Sequence, residues 1–173
     1  MDGLSFDGGP VEKVVPALKR LRAEGQSFRL VVVQNDPNFR LDGIDIENKI
    51  WSQDTELRDL QSFDIGLAPS FDGELYEGKC GFKQVEYMTT GVPVVSSFVG
   101  GVRDFLVHEQ NGMVTNTDDD WYQHIKRLIA DRALRARLSS HARSLVESKY
   151  CANVQGAVVA DAVKNAIHSN RVR

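Results

Sequence analysis

Apolar runs alternate with amphipathic stretches along this chain, and the alternation reads as a βαβα succession. Val11, Val14, Val15, Leu18 and Leu21 keep helical spacing, and Gly25 supplies a stop just after Glu24. Phe28 to Val33 predicts a buried strand, Ile44 to Ile50 a weaker one, and Asp64 to Ala68 a third, with a short helix from Asp54 to Gln61 between the last two. Gly81 to Thr89 predicts a helix ended by Gly91, Pro93 to Ser96 a strand, Val102 to Val107 a helical turn, and Gly112 to Thr115 a short strand. Trp121, Ile125, Leu128 and Ile129 mark a further helix. The next spans Arg132 to Ser148 with Leu134, Leu138 and Leu145 on its inner face. A last amphipathic stretch, Val154 to Ile167, leads into a basic tail, Arg171 to Arg173, expected to fray.

Strands joined by helices of this length imply a mostly parallel sheet covered on both faces, a doubly wound α/β arrangement whose ligands sit at the carboxyl ends of the strands. No internal repeat, low-complexity segment or linker interrupts the chain, so residues 1–173 are expected to form a single domain. The size and a hydrophobic content of 42% suit one buried core. A net charge of -3 gives no long-range pull toward nucleic acid. The longest apolar runs, Leu30 to Val33 and Val92 to Val95, fall far short of the ~20 residues a membrane helix needs. Met1 to Gly9 carries no Lys or Arg and lacks the regions of a signal peptide. Cys80 and Cys151 are too few for a disulfide framework, and these features together predict a cytoplasmic protein.

Chemistry concentrates in Phe63 to Val95, where a strand ends near Pro69, a polar glycine-bearing loop follows, and a helix opens near Gly81. In a doubly wound sheet that loop is where phosphates bind, because the free N–H groups and positive end of the helix face the anion. Lys79 and Lys83 flank the opening and add point charges. Glu86, three residues beyond Lys83, can share its helix face and accept hydrogen bonds from the two hydroxyls of a ribose; a solvated Lys83–Glu86 ion pair explains the same spacing.

The stretch resembles the C-terminal half of family 4 glycosyltransferases, a retaining group with the two-domain GT-B fold. The resemblance is carried by Leu30 to Pro37 (LVVVQNDP), Lys49 to Ser70, Gly81 to Val95 (GFKQVEYMTTGVPVV), Val99 to Gly112 (VGGVRDFLVHEQNG) and Trp121 to Tyr150. It implies a Rossmann-like domain that binds a nucleoside diphosphate sugar and supplies half of the cleft of an enzyme transferring a sugar to a hydroxyl acceptor. The acceptor domain is absent from this chain, which is expected to be a fragment, inactive alone; any peripheral membrane contact belongs to the missing half. No cofactor or metal is implied. By resemblance Glu86 contacts the ribose, the backbone of Cys80, Gly81, Phe82 and Lys83 holds the diphosphate, and Trp51, between a strand and a short helix, stands where the family holds the base. Read from the sequence without the resemblance, Trp51 is first a half-buried core residue.

Two positions depart from the family pattern. The partner of Glu86 in the family motif, a Glu eight positions earlier, falls on Gly78, so either Glu77 fills the donor-sugar role or Lys79 and the backbone take it over. The Arg and Lys that the family carries near its first strand and helix fall on Gly3 and Gly9. The turn Asp7-Gly8-Gly9-Pro10 can bring Gly8 and Gly9 backbone near a phosphate, or is simply a tight turn, and Lys79 and Lys83 become the replacement cations. These departures keep a rival reading open, a noncatalytic nucleotide-sugar or phosphate-binding module. Asp118, Asp119 and Asp120 read as the acidic first turn of a helix rather than a metal site. The histidines His108, His124, His141 and His168 lack metal-ligand spacing. Arg132, Arg135, Arg137 and Arg143 read as a solvated helix face.

Overall fold

The computed structural model describes residues 9–170. The first helical segment is split: a 3-10 helix, Gly9–Val14, runs into α1, Val15–Ala23. The other helices are α2 (Glu56–Gln61), α3 (Glu74–Glu77), α4 (Phe82–Thr90), α5 (Asp118–Ala130), α6 (Arg132–Lys149) and α7 (Ala152–Asn170). The strands are β1 (Leu30–Gln34), β2 (Ile46–Ile50), β3 (Gly66–Ala68), β4 (Val94–Ser97) and β5 (Met113–Thr115), and a second 3-10 helix covers Gly100–Asp104.

All strand pairing in these elements is parallel, in two pieces among the described residues. In the first, β1 pairs β2 with Leu30 opposite Ile46; in the second, β4 lies between β3 and β5, with Val95 opposite both Leu67 and Met113. The pieces are unified by side chains. Alternation along β4 sends Val95 toward α1 and α5, where it joins Leu18, Leu21, Leu30, Met113, Trp121 and Leu128 in one buried cluster. Val94 points the other way, onto Met88 of α4, Val102, Phe105 and Ala142. The sheet is thus covered on both faces, as the alternating sequence pattern predicts.

Local signals account for the helix ends. Thr117 and Asp120 form a capping box, and Asp120 Oδ2 also accepts from the Asn116 N–H at 2.8 Å, so the acidic triplet opens α5. Gly81 and Gly91 bracket α4 with φ of +78° and +77°, the left-handed conformation that glycine adopts without steric cost.

Three expectations are corrected. The inner face of α6 runs Leu134, Leu138, Ala142, Val146, each four positions after the last, and Leu145 beside it is only partly buried. The C-terminal stretch is helical, but residues 152–168 are all exposed: α7 touches α6 and contributes no residue to either core cluster. The loop of residues 71–80 contains the short helix α3, so Glu77 ends a helical turn. The basic tail, Arg171 to Arg173, lies outside the described residues. Among those described, no helix is long and apolar enough to cross a membrane.

Candidate functional site

The carboxyl ends of β3, β4 and β5 converge on a polar cleft of about 200 Å³, lined by Lys13, Asp72, Ser97, Arg103, Asn116 and Asp118 among others. This is where a doubly wound sheet binds its ligands. Its floor is fastened by hydroxyls. The Ser70 N–H donates to Ser97 Oγ at 3.0 Å, and Ser97 Oγ lies 3.2 Å from the Ser70 carbonyl oxygen. Behind them the buried Gln84 of α4 donates to Ser96 Oγ at 2.8 Å and fixes that helix to β4. Lys13 reaches in from the first 3-10 helix, donates to the Ser70 carbonyl at 3.1 Å and lies 3.7 Å from Asp72. Its side chain is only 25% exposed. Nothing in the sequence pattern singles out Lys13, because its position in the cleft depends on the helix packing beside β3.

The loop before α4 is pinned to the second 3-10 helix. Gly100 has φ of +62°, and a Cβ there would lie 2.6 Å from the Lys79 carbonyl oxygen; the Gly101 N–H donates to that same oxygen at 2.8 Å. Glu77 accepts from Gly100 N at 3.2 Å and from both terminal nitrogens of Arg103. The Arg103 hydrogen bonds, with the Gly100 N–H, hold the Glu77 carboxyl below its ordinary range. Lys79 Nζ lies 4.2 Å from the Tyr76 ring centroid, a cation–π contact. Cys80 is a free, exposed thiol. Gly81 has Phe105 and Val102 where a Cβ would stand, and no side chain caps the α4 N-terminus that it opens. Phe82 and Lys83, in the first turn, are exposed.

Further along α4, Glu86 is partly buried, and burial followed by the charge of Glu56 pushes its carboxyl above the ordinary range, against the pull of Lys83. No direct ion pair joins Lys83 and Glu86 among the described residues, although the Lys83 charge still acts on the Glu86 carboxyl. Burial likewise pushes the neighbouring Tyr87 hydroxyl up to about 12. Glu56 also accepts from the Trp51 indole N–H at 2.9 Å. Trp51 is 44% exposed beyond the end of β2, so it is a surface residue rather than a core one. The site residues therefore form two groups. Glu77, Lys79 and Cys80 meet Gly100, Gly101 and Arg103, with Gly81 against Val102 and Phe105; Trp51 and Glu86 are coupled through Glu56. Gly9 opens the first 3-10 helix, and Gly8 and Gly3 lie outside the described residues.

Among the described residues no group of three or more His, Cys, Asp or Glu side chains is arranged to hold a metal ion. The sheet, its two helical layers and the cleft at the strand ends define an α/β domain of the Rossmann-like kind found in GT-B glycosyltransferases. Residues 11–131 match the family described as glycosyl transferases group 1, and the chain belongs to that family. Solved structures agree on the fold. A glycosyltransferase from Rickettsia africae is similar at a TM-score of 0.73 with 18% identity, covering 90% of this chain and 44% of that one. The C-terminal domain of the group 1 glycosyl transferase LpcC from Francisella tularensis is similar at 0.58 with 13% identity, covering 81% and 78%. Anabaena HepE, in complex with UDP and glucose, is similar at 0.62 with 20% identity, covering 69% of this chain and 32% of HepE. The chain thus spans about a third of the length of HepE. No curated protein sequence gives a significant match.

Proposed function

We propose that residues 1–173 are the donor-binding domain of a retaining glycosyltransferase and bind a nucleoside diphosphate sugar, with the acceptor domain supplied by the same parent protein. The observation that carries this reading is the polar cleft at the strand ends, lined by the largely shielded side chain of Lys13. The family supports it, as does HepE, whose structure holds UDP and glucose.

In this reading Lys13 and the uncapped first turn of α4, from Gly81 through Phe82 and Lys83, face the diphosphate, with Lys79 and the Cys80 backbone beside it. Cations and N–H dipoles fixed before reaction stabilise the charge that grows on the departing diphosphate, and they need no reorganisation to do so. Glu86 accepts from the ribose hydroxyls, Trp51 offers its exposed face to the base, and Glu77 meets the donor sugar. Gly9, which opens the 3-10 helix that carries Lys13, contributes backbone only, as does Gly8 in this reading. Acceptor positioning and exclusion of water require a second domain closing over the cleft, so the chain alone binds donor without transferring its sugar. Any peripheral membrane contact belongs to that second domain. The free thiols of Cys80 and Cys151 support a cytoplasmic setting.

Calorimetric titration of the chain with UDP, GDP, ADP and dTDP tests the reading. Binding of at least one of them without hydrolysis or transfer of its sugar derivative is the expected result. Absence of binding to all four at millimolar concentration, or turnover by the chain alone, would reject it.

A further inference from the structure

The Glu77 carboxylate is engaged by three hydrogen bonds. Arg103 closes on it with both terminal nitrogens, Nη1 on Oε2 and Nη2 on Oε1, the second at 2.9 Å, and the Gly100 N–H donates to Oε2 at 3.2 Å. A carboxylate offers about four acceptor positions, so Oε2 is filled and Oε1 retains one. The backbone that carries these donors is itself fastened to the Glu77 segment. Gly100 leaves no room for a side chain against the Lys79 and Tyr76 carbonyls, at 2.6 and 2.8 Å from an ideal Cβ, and Gly101 donates to the Lys79 carbonyl at 2.8 Å. Loop, acid and guanidinium form one assembly beside the cleft, which Arg103 lines.

Stability does not account for this arrangement. The two side chains are 45% and 46% exposed, and solvent screens an ion pair there until it contributes little to folding. What a bidentate guanidinium–carboxylate pair supplies at a surface is direction, because the planar fork fixes both oxygens at once. Lysine in its place keeps the charge and loses the fork.

We propose that Arg103 is a positioning residue for the donor sugar: it orients Glu77 so that the open acceptor position on Oε1 takes one sugar hydroxyl. This rests on the donor-site reading above. An ionised carboxylate accepts hydrogen bonds and cannot donate them, so the group it selects is an O–H. Phosphate oxygens, themselves anionic acceptors, are turned away from the Glu77 carboxylate and toward the cation of Lys13, which lines the same cleft. Arg103 therefore acts on the sugar through Glu77 rather than on the phosphates.

The test separates sugar from nucleotide. The chain is titrated with UDP, GDP, ADP and dTDP, and the best binder is then compared with its glucose, galactose, mannose and N-acetylglucosamine derivatives. The ratio of nucleoside diphosphate to nucleotide-sugar dissociation constants measures the contribution of the sugar. Arg103→Lys is expected to leave nucleoside diphosphate affinity within about twofold while lowering that ratio about fivefold or more for the preferred sugar, the loss of one aligned hydrogen bond. Glu77→Gln is expected to lower the ratio similarly, and the double variant no further than Glu77→Gln alone, since the two residues act in series. Equal weakening of nucleotide and nucleotide sugar by Arg103→Lys would make Arg103 a phosphate ligand and overturn the proposal. An unchanged ratio in a folded variant overturns it as well, reducing the pair to a surface clasp. Failure of the native chain to bind any of the nucleoside diphosphates is a different result, and it removes the donor-site reading together with what rests on it.

Discussion

Lys13 and Ser70 stand 57 positions apart in the chain, and the Lys13 ammonium donates to the Ser70 carbonyl oxygen at 3.1 Å. The contact ties the first 3-10 helix to the end of β3 and places a lysine whose side chain is three-quarters shielded from solvent in the cleft at the strand ends. An ammonium has three donors. One is spent on Ser70 and another faces Asp72 at 3.7 Å, so a donor remains for an incoming anion.

Lys13→Ala is expected to weaken nucleoside diphosphate binding by about 1.5 to 3 kcal/mol, the range for a charge-assisted hydrogen bond in an enclosed site, and to leave nucleoside binding nearly unchanged. Lys83→Ala removes an exposed charge that solvent screens, and Lys79→Ala one that already rests on the Tyr76 ring, so each is expected to cost less than Lys13→Ala. Parallel calorimetry on the three variants checks the order. A larger loss from Lys83→Ala than from Lys13→Ala would move the diphosphate out of the cleft and onto the surface of α4.

Glu86→Gln separates binding from stability. The change keeps the shape and replaces one acceptor oxygen by a donor group, so it is expected to weaken a ribonucleotide by about 1 to 3 kcal/mol. A nucleotide lacking both ribose hydroxyls is expected to lose little. The sign for folding is opposite. Burial raises the Glu86 carboxyl above its ordinary value in the folded chain, so the unfolded state ionises more readily and gains on the native state as pH rises above about 4.3. Glu86→Gln removes that penalty, and the ligand-free variant is expected to be at least as stable as the native chain at pH 7. Thermal unfolding beside the two titrations reads both effects; intact ribonucleotide affinity in the folded variant would end the assignment of the ribose to Glu86.

Much of the fold was legible because its signals are local. Gly81 and Gly91 bracket α4, Thr117 and Asp120 cap α5, and the apolar pair Val94 and Val95 serves the two faces of a buried strand. What stayed hidden depends on distant neighbours. Lys13 looks like any helix lysine until β3 ends beside it, and Arg103 looks solvent-bound until Glu77 meets it from 26 positions away. Glu77 itself sits in a segment too short and polar for a periodic pattern to reveal the helical turn it ends. Trp51 misleads for the reverse reason, since a large aromatic after a strand usually packs inward, whereas this one lies beyond the end of an edge strand and turns its indole N–H to Glu56. The exposed stripe of α7 shows the same limit, because periodicity predicts an apolar face without saying what covers it.

The Gln84–Ser96 hydrogen bond is the buried polar contact that holds α4 to the sheet. Gln84→Leu keeps the bulk but leaves Ser96 Oγ without its donor, at an expected cost of about 1 to 3 kcal/mol in denaturant unfolding. Adding Ser96→Ala removes the stranded acceptor and is expected to recover part of that loss. Strict additivity of the two changes would mean that the bond contributes nothing of its own.

The last prediction concerns mild acid. His124 is partly buried on α5, its Nε2 lies 3.0 Å from the Val114 carbonyl oxygen, and its ring stacks at a tilt on His108 with centroids 4.9 Å apart. Burial, then the proximity of His108, holds its titration below the ordinary histidine value, while the Val114 carbonyl, Asp120 and Glu109 pull weakly the other way. A histidine whose folded pKa is depressed binds its proton more readily when unfolded, so the unfolded state takes up more protons as pH falls. Stability contributed by the neutral ring is therefore intact above about pH 6.5, is lost as pH falls from that value to the depressed folded one, and changes no further below it. Carboxylates that titrate low in the folded chain, Glu24, Asp59 and Glu109 among them, give up their contribution only at more acid pH, below about 4. Denaturant unfolding between pH 7.5 and 5 should thus show a slope that His124→Gln flattens, since glutamine cannot titrate and its amide N–H can still reach the Val114 carbonyl. His108→Gln, which removes the neighbouring charge but leaves His124 buried, should reduce the slope without abolishing it. A slope of unchanged size in the folded His124→Gln variant would assign the acid sensitivity elsewhere in the chain.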